Sequence, residues 1–381
     1  MTMNFDPIRS YTREEVPAAL ERLSQEKQFI NLLSTVYPLI PKDILRTKLL
    51  SFTEVNDFQK EMVYPFLQYL EATLTKGISL EGQDKVSKDK AYLYISNHRD
   101  IVLDSALFCG KLIENDFDTV EIAIGDNLLA LPWIEDMVRM NKSFIVRRSP
   151  GAKQMLEAST LLSTYIADTI NNRNQSAWIA QREGRAKDSN DRTQESLLKM
   201  LNMGGSGSFA SNLAALHICP LSISYEYDPC DFLKAKEFQQ KRDIPNFIKA
   251  AEDDLISMRT GVMGYKGKVV YRIAGDISED ILLLGKNIVN RNELVASVAA
   301  MIDRHIYSNY EIYNVNRIAF DLLEGRTDFE ESYTLIEKLD FQKYLTQQIE
   351  KIDLENKDYD FLMMKLLEMY ANPLKNAMSM N

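Results

Sequence analysis

The chain has 381 residues, of which 45% are hydrophobic and 26% charged, and its formal net charge at pH 7 is −10. This composition is typical of a folded protein with a large core, and the acidic balance argues against a nucleic-acid-binding protein, which would carry a basic surface. No apolar run approaches the length of a membrane-spanning helix, and the three cysteines (Cys109, Cys219, Cys230) show no disulfide or metal-ligand spacing.

Residues 1–85 are predicted to form an N-terminal helical domain, because apolar side chains such as Leu20, Leu23 and Ile30 recur at helical spacing. From about residue 88, short strand-like runs alternate with helical stretches. Six runs are predicted as strands: 91–95, 120–124, 143–146, 176–180, 217–227 and 268–274. This alternation predicts an α/β catalytic domain over residues 86–287, with a mixed, largely parallel sheet flanked by helices. Residues 288–381 are predicted to be a C-terminal helical extension packed on that domain.

Four of the predicted strands end in unusual polar clusters. The clusters are SNHRDIVLD (96–104), NKSFIVRRS (141–149), QREGRAKD (181–188) and the proline-containing strand ICPLSISYEY (218–227). Ligands of open α/β sheets bind beyond the carboxyl ends of the strands, so we expect these clusters to lie near one another.

The first cluster combines His98 with two carboxylates. A neutral histidine accepts a proton from a hydroxyl, and a carboxylate on its other ring nitrogen fixes the tautomer. A histidine beside a strand end is also a common capping or core residue. The cluster alone therefore fits either a catalytic base or a structural histidine.

The second cluster belongs to a basic segment, residues 139–153, which carries five basic side chains and no acid. Its adjacent arginines, Arg147 and Arg148, match phosphate oxygens in bidentate geometry. The alternatives are a solvated basic face or a charged sheet edge.

In the third cluster, Gly184 permits a tight turn and Glu183 is placed to hold an arginine or a substrate hydroxyl. In the fourth, Pro220 predicts an edge strand or a bulge.

In this order the four clusters resemble the four motif blocks of the glycerolipid acyltransferase family. NHRDIVLD resembles the block Asn-His-(four residues)-Asp, NKSFIVRRS the Gly-x-x-Phe-x-x-Arg type block, REGRAKD the Glu-Gly-x-Arg block, and ICPLSISYE the Val-Pro-x-x type strand. The second and fourth blocks look closest to the glycerol-3-phosphate acyltransferase branch. The resemblance covers about residues 85–280.

The first block departs from the family pattern, in which four residues separate the histidine from the aspartate. Here position 103 is Leu103, and the candidate acids are Asp100 and Asp104. We favour Asp104, because its flanking residues resemble those of the family and a one-residue bulge would return it to His98.

The resemblance implies transfer of a fatty acyl group from an acyl-CoA or acyl-carrier-protein thioester to the hydroxyl of glycerol-3-phosphate, in phospholipid synthesis. His98 would be the base and Asp104 its orienting acid, with no metal and no cofactor apart from the acyl donor. The residues implied in substrate binding are Asn97, Arg99, Phe144, Arg147, Arg148, Glu183, Gly184, Arg185 and Pro220.

Two alternatives stay open at this stage. The acceptor could be lysophosphatidate or an acyl-amino-acid lipid, or the chain could be a non-catalytic protein that binds acyl thioesters or lipids. The unpatterned cysteines and the absence of a secretory signal pattern lead us to expect a cytoplasmic protein. The lipid product leads us to expect peripheral contact with the inner membrane.

Overall fold

The computed structural model describes residues 3–129, 131–148 and 152–380, and places a seven-stranded β-sheet at the centre of the molecule. The strands are β1 (Ile78–Glu81), β2 (Leu93–Ser96), β3 (Glu121–Gly125), β4 (Ser143–Val146), β5 (Ala177–Ala180), β6 (Ile218–Tyr225) and β7 (Val269–Ile273). Their order is β1-β7-β6-β2-β5-β3-β4, and every neighbouring pair is parallel except β6 and β7. The predicted fold class, an α/β fold with a mixed, largely parallel sheet, is confirmed.

All six predicted strands are present, but strand β1 was not predicted. It lies inside the segment assigned to the N-terminal helical domain, and its four residues alternate between buried and more exposed positions. A run of four residues is too short for this alternation to predict a strand from the sequence. It becomes a strand by pairing in parallel with β7, which is about 190 residues away along the chain.

The prediction for Pro220 was wrong, because β6 lies inside the sheet between β7 and β2. The Pro220 carbonyl accepts a hydrogen bond of 2.9 Å from the N–H of Ala274, one residue beyond the end of β7. The nitrogen of Pro220 faces the same side as its carbonyl. The missing N–H therefore falls where the antiparallel ladder ends, and the interior strand tolerates the proline.

Helices surround the sheet and extend beyond it at both ends of the chain. In chain order they are α1 (Val16–Gln25), α2 (Lys27–Val36), α3 (Lys42–Leu50), α4 (Val55–Phe58), α5 (Tyr64–Leu74), α6 (Leu103–Glu114), α7 (Pro132–Arg139), α8 (Ala152–Asn171), α9 (Glu195–Leu201), α10 (Phe209–Ala214), α11 (Asp231–Asp243), α12 (Ala251–Met263), α13 (Ser278–Asn287), α14 (Arg291–Ser308), α15 (Asn314–Glu324), α16 (Leu335–Glu350) and α17 (Tyr359–Met378). A π-helical turn, Gln59–Val63, joins α4 to α5.

Each face of the sheet is covered by a different set of helices. Helices α5 and α6 pack on one face, where Phe108 is fully buried against Tyr271 of β7. Helices α8, α10 and α14 pack on the other face, where Val295 and Val298 are fully buried. Helix α14 is therefore part of the sheet core, although it falls in the segment predicted as the C-terminal extension.

The remaining helices form two further clusters. Helices α1, α2 and α3 bury their apolar faces together and against Met140, which follows α7. Helices α15, α16 and α17 bury a cluster that includes Phe341 and Leu366 and packs against α11. None of the helices in the described residues combines the length and the apolar composition required to cross a bilayer.

A buried carboxylate joins α11 to the C-terminal helices. Asp231, which is inaccessible to solvent, accepts hydrogen bonds of 2.7 Å from Tyr344 Oη and 2.8 Å from Tyr370 Oη. Burial raises the pKa of Asp231 to about 7. The folded state therefore retains a proton that the unfolded chain would release near pH 4.

This difference in pKa predicts a pH dependence of stability. Because the folded-state pKa is raised, the stabilisation is fully present below about pH 4 and is lost as pH rises through 7. Asp231→Asn, which cannot ionise, should gain roughly 2–4 kcal/mol in free energy of unfolding relative to wild type between pH 4 and pH 7.5. Denaturant titrations at several pH values measure this, with the exposed Asp353→Asn as control. Parallel profiles for wild type and Asp231→Asn would contradict the prediction.

Candidate active site

His98 follows the central strand β2 at the carboxyl edge of the sheet. Its Nδ1 lies 2.8 Å from Oδ2 of Asp104, which is the second residue of α6. Asp104 is buried, whereas the His98 side chain keeps 14% of its surface exposed. The geometry therefore pairs His98 with Asp104, across the longer spacing, and this contact uses Nδ1 and not Nε2 of the ring.

The same carboxylate organises the turn between β2 and α6. Oδ2 of Asp104 also accepts hydrogen bonds from the backbone N–H groups of Arg99, at 2.6 Å, and Asp100, at 3.0 Å. The backbone carbonyl of Asp104 in turn accepts a hydrogen bond of 3.0 Å from Tyr271 Oη on β7. Three donors on one oxygen hold the turn in one conformation.

Asp100, the alternative acid, has a different task. Its Oδ1 accepts hydrogen bonds from the backbone N–H groups of Val102, at 2.9 Å, and Leu103, at 2.8 Å, at the beginning of α6. Burial, together with the charge of Asp104, raises the pKa of Asp100. Gly261 of α12 lies against this carboxylate so closely that a Cβ would clash with it. Asp100 therefore caps the beginning of α6, and its carboxylate packs directly against Gly261 of α12.

Asn97 and Arg99, both predicted to bind substrate, are buried behind His98. The Asn97 amide donates to the carbonyl of Ile223 and accepts from its N–H, each at 2.8 Å, which fastens the turn to β6. The Arg99 guanidinium forms an ion pair with Asp191, which is inaccessible to solvent. Neither residue lines the cavity in front of His98, so both support the turn.

A cavity of about 1930 Å³ opens in front of His98. Its walls come from α2 and the loop after it, α5, α6, α7, α8 and α12. Most lining side chains are apolar, including Trp178, whose ring centroid lies 5.8 Å from that of His98. The volume is roughly twice the upper end of the range usual for a single small ligand. The N-terminal helices thus provide part of the cavity wall, a role that the sequence did not reveal.

Four arginines line this cavity: Arg147, Arg148, Arg182 and Arg259. Arg148 lies 3.9 Å from Glu183 across the cavity, between Nε and Oε1. The other three form no hydrogen bond or ion pair with any residue that the structure describes. Unpaired guanidinium groups beside an apolar cavity are suited to a phosphorylated ligand.

The arginines of the basic segment divide between two roles. Arg147 and Arg148 line the cavity. Arg139 is buried and donates to the backbone carbonyl of Pro7 at 3.1 Å and to Glu135, so it fixes the N-terminal segment. The side chain of Lys153 and all of Ser149 lie outside the described residues. Among the described arginines of this segment, two therefore line the cavity and one supports the fold.

The third motif is distributed differently from the prediction. Glu183 and Gly184 line the cavity, and the φ of 65° at Gly184 is in the left-handed region that favours glycine. Arg185 is only 8% exposed and does not line the cavity, whereas Arg182 does. The family block has one residue between glycine and arginine, and here Arg185 follows Gly184 directly. The charge of Arg185 partly counters the rise in the pKa of Asp100, and Arg182 lines the cavity instead.

Phe144 and Pro220 are also buried and away from the cavity. Phe144 packs against Tyr165 of α8, with 5.3 Å between ring centroids, and Pro220 pairs with Ile95 in the register of β2 and β6. They stabilise the sheet that carries the site.

Arg259 was not predicted, since no motif surrounds it and only tertiary packing of α12 brings it to the cavity. Among the described residues, no cluster of three or more histidine, cysteine or acidic side chains is arranged for a metal.

Comparisons with known proteins bear on this site. Residues 77–224 match the family model described as Acyltransferase, and a comparison with curated protein sequences gave no significant match. Among solved structures, the chain is similar to the 1-acyl-sn-glycerophosphate (LPA) acyltransferase from Thermotoga maritima. The identity is 14%, the TM-score 0.40, and the alignment covers 77% of this chain and 96% of the other. The family match covers less than half of the chain but contains His98 and Asp104, and it supports the acyltransferase family that the motifs indicated.

Proposed function

We propose that the protein transfers a fatty acyl group from a thioester, acyl-CoA or acyl carrier protein, to the hydroxyl of a phosphorylated glycerol. The observation that carries this proposal is the His98–Asp104 pair, which opens onto a large apolar cavity lined by four arginines, three of them without a hydrogen bond or ion pair to a described residue. The apolar walls suit an acyl chain, and the arginines suit a phosphate.

The chemistry requires a base and no covalent enzyme intermediate. Nε2 of His98 accepts the hydroxyl proton as the acceptor oxygen attacks the thioester carbonyl, and Asp104 stabilises the imidazolium that forms. The tetrahedral intermediate then loses the thiolate. The C–S bond breaks, an ester C–O bond remains, and the imidazolium returns its proton to the thiolate.

The acceptor has two candidates. The sequence motifs favour glycerol-3-phosphate, and the second candidate is lysophosphatidate. Both acceptors carry a phosphate, which would be bound by Arg147, Arg148, Arg182 or Arg259. The volume of about 1930 Å³ favours lysophosphatidate as the second candidate, because it exceeds the space that one acyl chain needs. A non-catalytic lipid-binding protein would have no need of the base at the end of β2.

Turnover should depend on His98. His98→Ala and Asp104→Asn are each expected to lower kcat on the order of 10²–10⁴-fold, since a positioned general base contributes about that much. Thiol release from palmitoyl-CoA and from palmitoyl-carrier protein, with glycerol-3-phosphate or lysophosphatidate, measures this and ranks the acceptors. His305→Gln, on α14 and away from the cavity, is the matched control. Acceptor-dependent release that survives His98→Ala would sink the proposal, and binding of acyl thioester without release would favour the binding protein.

The arginines should affect the acceptor alone. Arg182→Gln is expected to raise the KM for the phosphorylated acceptor roughly 10–100-fold, because a hydrogen bond between charged groups contributes about 1.5–3 kcal/mol. The KM for the acyl donor should stay within about twofold of the wild-type value. Arg291→Gln, exposed at the beginning of α14, serves as control. An equal effect on donor and acceptor would instead assign Arg182 to the donor's phosphates.

We further propose peripheral contact with the membrane through the rim of the cavity, in a cytoplasmic protein at the inner membrane. Several exposed apolar side chains line the cavity and face solvent, among them Leu39 (94% exposed), Met263 (53%) and Leu255 (47%). A lipid product would leave through this rim, and the cavity arginines would face anionic headgroups.

This contact predicts a difference between two equally exposed side chains. Leu39→Asp should weaken co-sedimentation with vesicles of phosphatidylcholine and phosphatidylglycerol several-fold, by removing buried apolar area and adding a repelled charge. Val289→Asp, 99% exposed and away from the cavity rim, should bind as wild type does. Equal loss in both variants, or in neither, would argue against the rim as the contact surface.

A further inference from the structure

Lys234 of α11 is among the largest fully buried side chains of the protein, with 1% of its surface exposed. A buried ammonium group is costly unless hydrogen bonds and an opposite charge compensate it. Its position therefore calls for specific partners. It does not line the cavity in front of His98, so those partners are not substrate.

One partner is the catalytic turn itself. Nζ of Lys234 donates a hydrogen bond of 3.1 Å to the backbone carbonyl of Arg99, the residue that follows His98. The N–H of Arg99 donates to Asp104, and its guanidinium pairs with Asp191. The backbone N–H, the backbone carbonyl and the guanidinium group of Arg99 are thus each held by a different part of the chain.

The other partner is the carboxylate of Asp228, which Lys234 contacts directly. Burial raises the pKa of Asp228, but the charge and hydrogen bond of Lys234 outweigh it and leave this pKa below its ordinary value. The backbone N–H of Asp228 donates at 3.1 Å to Tyr370 Oη of α17, and Tyr370 donates to Asp231. The connection therefore runs from the C-terminal helices to the catalytic turn.

We propose that Lys234 is a positioning residue, which holds the carbonyl of Arg99 and thereby aims Nε2 of His98, and that the C-terminal helices complete the catalytic unit through it. The inference rests on the proposed acyl transfer. Lys234 acts through the backbone and touches no reacting atom, so its loss should affect the rate of the chemical step. A displacement of about 1 Å at a reacting group costs on the order of 10²-fold in rate.

The test compares two equally buried lysines in the full-length chain. Lys234→Met should lower kcat at least about tenfold while the KM for donor and acceptor stays within about twofold. Hydrogen exchange of the Arg99 and Asp100 amides should accelerate. Lys266→Met is the matched control: Lys266 is also 1% exposed, but its Nζ donates to the backbone carbonyls of Val262 and Gly264. The Lys266→Met variant should be less stable than wild type, with no change in the hydrogen exchange of the Arg99 and Asp100 amides.

Since Lys234→Met leaves the Asp228 carboxylate buried without its ion pair, Lys234→Met/Asp228→Asn provides a second variant without that charge imbalance. It should show the same fall in kcat and the same faster exchange. Wild-type kcat and exchange at the turn in a folded double variant would overturn the proposal, as would equal changes in Lys266→Met. Faster exchange at the turn in a protein without acyl transfer would retain the positioning role and reject the proposed function instead.

Discussion

The carboxylate of Asp104 is the interaction on which the rest of the site depends. One of its oxygens accepts from Nδ1 of His98 and from two backbone N–H groups of the turn. That turn joins the central strand β2 to α6, so the same oxygen fixes both the tautomer of the base and the path of the chain that carries it. The carboxylate is buried, and these three donors lie on its Oδ2.

The surroundings of the turn show why so many polar residues are buried there. Asn97 fastens it to β6, Asp100 caps α6, and Arg99 is held by Asp191 and Lys234. Each buried polar group costs free energy unless it is paired. A turn held by so many hydrogen bonds has few alternative conformations, and the proposed role of His98 as a general base requires such a fixed position.

The cavity combines parts of the chain that lie far apart in sequence. The N-terminal helices and α12 provide apolar walls, while the loops after β4 and β5 provide arginines. Apolar walls suit an acyl chain and guanidinium groups suit a phosphate, so the two parts of the proposed substrates would contact different side chains of the lining. The C-terminal helices do not line the cavity, and their connection to the site runs through the buried groups of α11.

The sequence by itself determined the local features. Strand-like runs such as 143–146, the polar cluster at His98 and the arginine pair after β4 depend on neighbouring residues, so periodicity and motif spacing were enough to predict them. Tertiary structure decided the rest. Strand β1 forms only because β7 pairs with it, and Pro220 is tolerated inside the sheet because the ladder ends beside it.

The same division holds for the site residues. Arg185 and Arg182 are three positions apart and chemically identical, and only the path of the turn at Gly184 decides which one faces the cavity. Arg259 and Lys234 carry no motif: the packing of α12 brings Arg259 to the cavity, and Lys234 reaches the carbonyl of Arg99, which is 135 positions away. Motif spacing predicts roles that depend on residues nearby in the sequence. Burial and pairing between distant residues depend on how the chain packs, so motif spacing does not predict them.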